Sequence, residues 1–106
     1  MDYKLFWTDE AVNNLDSILK YLNDKWSERE VINFKKKLSN QLNLIIGNPY
    51  MFPKSEYQPR LRKAVLSRQT TLFYEVKGKN IYLAYLFVSK MNIKRMFFFV
   101  KFFFKG

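Results

Sequence analysis

Residues 81–88 read Ile-Tyr-Leu-Ala-Tyr-Leu-Phe-Val, a run with no charged side chain on either face. Eight β-branched, aromatic and aliphatic residues in a row suit a strand, and the absence of any polar face predicts a central strand buried on both sides. That one segment commits the chain to a sheet with a covering layer, and the remaining segments must supply its neighbours and its cover.

Two more β-type runs precede it, Leu61–Ser67 and Thr71–Lys77. The first two are separated by little more than Gln69-Thr70, and the last two by Lys77-Gly78-Lys79-Asn80. In the second link Gly78 can supply the positive φ that a tight turn often needs. Tyr3–Trp7 is apolar and aromatic, broken only by Lys4, and reads as a first strand.

Between the first strand and the other three lie two helical stripes. Ala11, Leu15, Ile18, Leu22 and Trp26, joined by Val12 and Leu19, recur at helical spacing, so a first helix is expected to run to about residue 23–25. Thr8 suits its N-cap, and Asp9 and Glu10 place negative charge on the positive end of the helix dipole. Ser27-Glu28-Arg29-Glu30 matches a capping box for a second helix, whose stripe is Val31, Phe34, Leu38, Leu42, Ile45 and Ile46. Gly47 followed by Asn48-Pro49 is its stop. Residues 48–60 hold all three prolines and follow neither period; they read as a loop anchored by Tyr50, Phe52 and Tyr57. The order β-α-α-β-β-β is that of an α+β domain, with a helical hairpin on one face of a mostly antiparallel sheet.

With 106 residues, 48% of them hydrophobic, the chain is expected to form one packed domain. It contains no cysteine and no histidine, which removes disulfides, thiolate nucleophiles, the commonest metal ligand and the usual general base near neutral pH. No cofactor or metal is expected. Met1-Asp2-Tyr3-Lys4 does not open a secretory signal, so a cytoplasmic protein without membrane contact is the default reading. Charge is unevenly divided. Residues 1–53 are neutral, with seven Lys/Arg and seven Asp/Glu, whereas residues 54–106 hold twelve Lys/Arg against Glu56 and Glu75 alone, so the whole net charge of +10 sits there. A strong positive field on one side of the fold attracts an anionic partner: nucleic acid or an acidic protein first, a membrane surface third.

The opening strand with Thr8 at the helix start, the run Arg62-Lys63-Ala64-Val65 … Leu72-Phe73-Tyr74-Glu75-Val76 … Ile81-Tyr82-Leu83, and the order of the elements together resemble the RelE/ParE toxin superfamily over residues 3–95. The resemblance implies the toxin of a two-gene toxin–antitoxin pair, a growth inhibitor neutralised by a cognate antitoxin. Some members cleave mRNA on the ribosome, and ParE-like members are associated with inhibition of DNA gyrase. Nuclease members often carry Arg at the start of the third strand, where this chain has Thr71-Leu72-Phe73-Tyr74, and end the fourth strand with His, Arg or Tyr, where it has Val88-Ser89-Lys90-Met91. Cleavage through the ribose 2′-OH requires proton transfer and cations around the phosphate. Lys63, Arg68 and Lys90, with Arg62, are the candidate substitutes for catalysis, and the sequence singles out no acid–base pair to accompany them. The resemblance is thus closer to ParE, acting by binding.

For binding a target or an antitoxin the candidates are Arg60, Arg62, Lys63, Arg68, Lys90, Lys94 and Arg95. Strand alternation puts Arg62 and Arg68 on one face and Lys63 on the other. The competing reading of these charges is edge-strand solubility. Lys35-Lys36-Lys37 belong to a solvated helix face, Tyr74 and Tyr85 to core or cross-strand packing, and most other aromatics to the core. Residues 96–106 pack six Phe into eleven positions and lie outside the resemblance. An edge strand or strap over the core and the product of a shifted reading frame are the preferred readings for them, ahead of a tail that docks on a partner or touches a membrane.

Overall fold

The computed structural model describes residues 2–89, and its elements follow the expected order: β1 (Lys4–Trp7), α1 (Asp9–Lys25), α2 (Glu28–Gly47), β2 (Arg62–Val65), β3 (Thr70–Lys77) and β4 (Asn80–Val88). The four strands form one sheet in the order β1-β4-β3-β2. The pairs β2–β3 and β3–β4 are antiparallel, and β1 lies parallel to β4 with Lys4 opposite Asn80 and Trp7 opposite Leu83. Gly78 makes the β3–β4 turn at φ 59°.

The α1–α2 hairpin covers one face of the sheet. Ala11, Ile18, Leu38 and Ile45 from the helices meet Ala64, Leu72, Tyr74, Ile81, Leu83, Leu86 and Val88 from the strands, all buried. β4 is central, between β1 and β3, but it is not buried on both sides: burial alternates along it, and Tyr82, Tyr85 and Phe87 are only partly covered. The uncharged sequence of β4 therefore reflects apolar side chains on a face that no described element covers.

Thr8 caps α1 as expected, its hydroxyl accepting the Ala11 N–H at 3.1 Å. The same hydroxyl sits 2.7 Å from the Leu83 carbonyl oxygen and 2.9 Å from that of Ala84, and shares its proton between them. Those carbonyls flank a bulge, since Phe73 pairs with Tyr85 and Tyr74 with Leu83, which leaves Ala84 without an opposite residue. One threonine thus starts a helix and satisfies a break in the ladder.

Four local expectations are corrected. Ser27 occupies the N-cap of α2 but makes no side-chain cap; the Glu30 N–H goes instead to the Ser27 carbonyl at 3.0 Å, closing a tight first turn without the capping box. Trp26 ends α1 rather than continuing its stripe and is 66% exposed. Tyr57 is 93% exposed and anchors nothing, whereas Phe52 packs edge-on against Tyr74 with ring centroids 6.3 Å apart. The strand expected over Leu61–Ser67 is shorter, because Leu66 and Ser67 already turn back to Thr70 through backbone bonds of 2.9 and 3.2 Å. The Phe-rich segment 96–106 lies outside the described residues.

Candidate functional site

The register assigns every strand residue to a face. Leu5 and Trp7 of β1 pack on the core, so Lys4 and Phe6 point to the opposite side. On β3, Leu72, Tyr74 and Val76 face the helices, leaving Thr71, Phe73, Glu75 and Lys77 outward. Lys63 opposes Phe73 and is outward as well, while Arg62 opposes the buried Tyr74. The open face consequently carries two ring stacks, Phe6 on Tyr82 at 5.4 Å and Phe73 on Tyr85 at 4.7 Å between centroids. Around the rings stand Lys4, Lys63, Lys77 and Arg60, with the Glu75 carboxylate among them and that of Glu10 near Tyr85.

Arg60 is partly neutralised there, its Nη1 lying 3.4 Å from Glu75 Oε1. Among the described residues no hydrogen bond or ion pair engages the ammonium groups of Lys4, Lys63 or Lys77, so their charge is directed at solvent and at whatever docks on the face. Tyr85 donates to Gln58 Oε1 at 3.3 Å. Burial and the nearby Glu10 carboxylate raise its pKa above the usual phenol value, against a smaller opposing pull from Arg60. It is a neutral hydrogen-bond donor at physiological pH, not a base.

The candidates named from the sequence separate on this geometry. Lys63 and Arg60 reach the open face. Arg62 and Lys63 do lie on opposite faces, but Arg68 lies in the turn between β2 and β3 rather than on a strand with Arg62. Arg62 is a staple: its Nη1 donates to the Phe52 carbonyl at 2.7 Å and the Tyr50 carbonyl at 3.3 Å, and its guanidinium lies 5.1 Å from the centre of the Tyr50 ring. It holds the 48–60 loop closed over the sheet edge. Lys90, Lys94 and Arg95 lie outside the described residues. Two cations of the face, Lys4 and Lys77, and its aromatics Phe6, Phe73, Tyr82, Tyr85 and Phe87 are additions from the structure. The signal for them was present in alternation along β1 and β3, but only the pairing with β4 shows that their sides coincide.

No group of three or more His, Cys, Asp or Glu side chains is placed to hold a metal among the described residues, and no described helix is long and apolar enough to cross a membrane. What the face offers chemically is a flat aromatic floor with cations at its rim, suited to an anionic, planar or extended surface.

Solved structures share this architecture. The chromosomal ParDE toxin–antitoxin system from P. aeruginosa contains a chain that aligns with a TM-score of 0.68 at 22% identity, over 81% of this chain and 95% of that one. The DinJ–YafQ toxin–antitoxin complex of E. coli aligns at 0.58 and 12% identity, over 84% and 94%. The YoeB/ParE toxin from Agrobacterium tumefaciens aligns at 0.59 and 11%, over 80% and 97%. No curated protein sequence matches significantly. At the level of sequence, residues 5–92 match the family profile described as the ParE toxin of the type II toxin–antitoxin system parDE, so the chain belongs to the ParE toxin family within the RelE/ParE superfamily.

Proposed function

We propose that the chain inhibits growth by binding rather than by cleaving, that its open sheet face is the binding surface, and that DNA gyrase in the cytoplasm is the target. A cognate acidic antitoxin neutralises it by covering that cationic surface. The carrying observation is the convergence of Lys4, Lys63 and Lys77 around two ring stacks on a face that no described element covers. Such a face binds through charge and contact area. Its proton-transfer groups are Tyr85, whose raised pKa keeps it protonated, Tyr82, and Glu75, whose carboxylate is engaged by Arg60, and no histidine exists in the chain. The ParDE likeness supports the same reading.

Inducing a Lys4→Glu, Lys63→Glu, Lys77→Glu variant tests the surface. Growth inhibition is expected to disappear while the variant stays folded, because all three groups are outward and unpaired; undiminished toxicity of the well-expressed variant would overturn the reading. Supercoiling assays with purified gyrase, run beside primer extension on cellular mRNA after brief induction, separate the target from the alternative of a ribosome-dependent endoribonuclease. Codon-positioned breaks with unaffected supercoiling would reassign the chain to that class.

A further inference from the structure

The helical side of the molecule has a second apolar feature that the open sheet face does not account for. At the α1–α2 turn, Ile18, Leu22, Trp26 and Phe34 face Thr70 and Val88 across a groove of about 250 Å³. Trp26 forms its exposed lip. A cavity of about 150 Å³ takes up a benzene ring, so this groove has room for a phenyl group and part of a second.

Where the chain goes next makes the occupant specific. Val88, the last residue of β4, is part of the groove wall, and the Ser89 N–H is held by the carbonyl of Gln69, another wall residue, at 2.7 Å. The chain therefore leaves the described structure at the mouth of the groove with residues 90–106 still to place. The family profile ends at residue 92, and the P. aeruginosa relative is 95% covered by only 81% of this chain. The Phe-rich segment is thus surplus to the shared fold, and its six phenylalanines need an apolar surface. Residues 90–95 span up to about 20 Å when extended, enough to turn and return to a groove that begins at Val88. Tethering at this distance gives an effective concentration on the order of millimolar.

The chain's exit at Val88 favours this groove over a second apolar one lined by Leu5, Leu15, Leu19, Leu38, Leu42 and Ile46, and charge separates it from the open sheet face. Residues 90–106 contain Lys90, Lys94, Arg95, Lys101 and Lys105 and no carboxylate side chain. The open sheet face is cationic and repels such a segment, while the groove lining holds one carboxylate, Glu30, and one ammonium, Lys37, and is neutral. We infer that the groove between the helical hairpin and the β3–β4 end is a docking site for this chain's own segment 96–104, with phenylalanine side chains inserted beside Trp26.

The absence of native cysteines makes the test direct. Full-length protein made by cell-free synthesis carries Asn33→Cys on the groove wall together with Val100→Cys, which keeps all six phenylalanines. A control pairs Val100→Cys with Glu56→Cys on the distant exposed loop. Mild oxidation of dilute protein is expected to give an intramolecular crosslink at least tenfold faster for the groove pair than for the control. In the chain without cysteines, changing Phe97, Phe98 and Phe99 to Ser is expected to shift tryptophan emission to the red with an unchanged far-UV circular dichroism spectrum. Equal crosslinking rates would overturn the inference. So would crosslinks found only in dimers, which assign the groove to a second copy, or an unmoved emission spectrum, which leaves it to a separate partner.

Discussion

The side-chain oxygen of Asn14, buried on α1, accepts the backbone N–H of Leu86 at 2.9 Å. β1 pairs with β4 only as far as Leu83, so among the described residues β4 has no strand neighbour on the β1 side beyond that point. Asn14 supplies one acceptor where the missing strand would have done so, and fastens the first helix to the last strand. Asn14→Leu leaves a buried N–H without a partner and is expected to destabilise the fold by about 1–3 kcal/mol. Urea denaturation checks it; a loss below a few tenths would show that water reaches Leu86 instead.

Tyr74 links stability to pH at the alkaline end. It is 0% exposed, its hydroxyl donates to the Pro49 carbonyl at 2.7 Å, and burial pushes its pKa from 10.0 up to about 12 despite the opposing charge of Arg62. Because the folded value lies above the unfolded one, the contribution is complete below pH 10 and is lost as pH rises towards 12. The loss amounts to about 2–3 kcal/mol. Tyr74→Phe is expected to lower stability by about 1–2 kcal/mol near neutrality, and to flatten this alkaline decline. Denaturation curves at pH 8, 10 and 11.5 for both proteins give the comparison.

Arg62 fixes a loop, which separates its role from that of Lys63 one residue away. Arg62→Ala frees the Tyr50 and Phe52 carbonyls and removes the stack on Tyr50. Backbone amides of residues 50–55 are expected to exchange with deuterium at least tenfold faster, with stability reduced by about 1–2 kcal/mol. Lys63→Ala should change neither by a measurable amount. Indistinguishable exchange in the two variants would remove the staple from Arg62.

Thr8→Val preserves shape and removes the hydroxyl that caps α1 and meets the bulge carbonyls. A loss of about 1–2 kcal/mol is expected, larger than for a cap alone because the Ala84 carbonyl loses its partner as well. Thermal melting of Thr8→Val beside Thr8→Ser, which retains the hydroxyl and should stay near the parent, provides the measurement.

The helices and the three later strands were legible because their apolar residues recur at 3.6 and 2, periods that survive without knowledge of the partner. Loss of covering on one face of β4 was not legible: the rings of Tyr82, Tyr85 and Phe87 look the same in a sequence whether they enter a core or stack on neighbours across a strand. Trp26 misled for a related reason, since helical spacing carries past the point where the backbone stops being helical. The division of the basic residues needed three dimensions most of all. Arg62 and Lys63 are adjacent cations, yet one is opposite Tyr74 and bonds to loop carbonyls while the other is opposite Phe73 and faces solvent. Lys4 and Lys77, far apart in the chain, come to one surface only through β4, which no local pattern reveals.

The parallel pairing of Lys4–Trp7 with Asn80–Leu83 joins nearly the two ends of the described chain. Antiparallel hairpins such as β3–β4 close locally, but this contact must wait until almost the whole domain has been synthesised. An incomplete nascent chain holds the helical hairpin and lacks the assembled cationic surface, so whatever binds that face must wait until β4 has emerged and paired with β1.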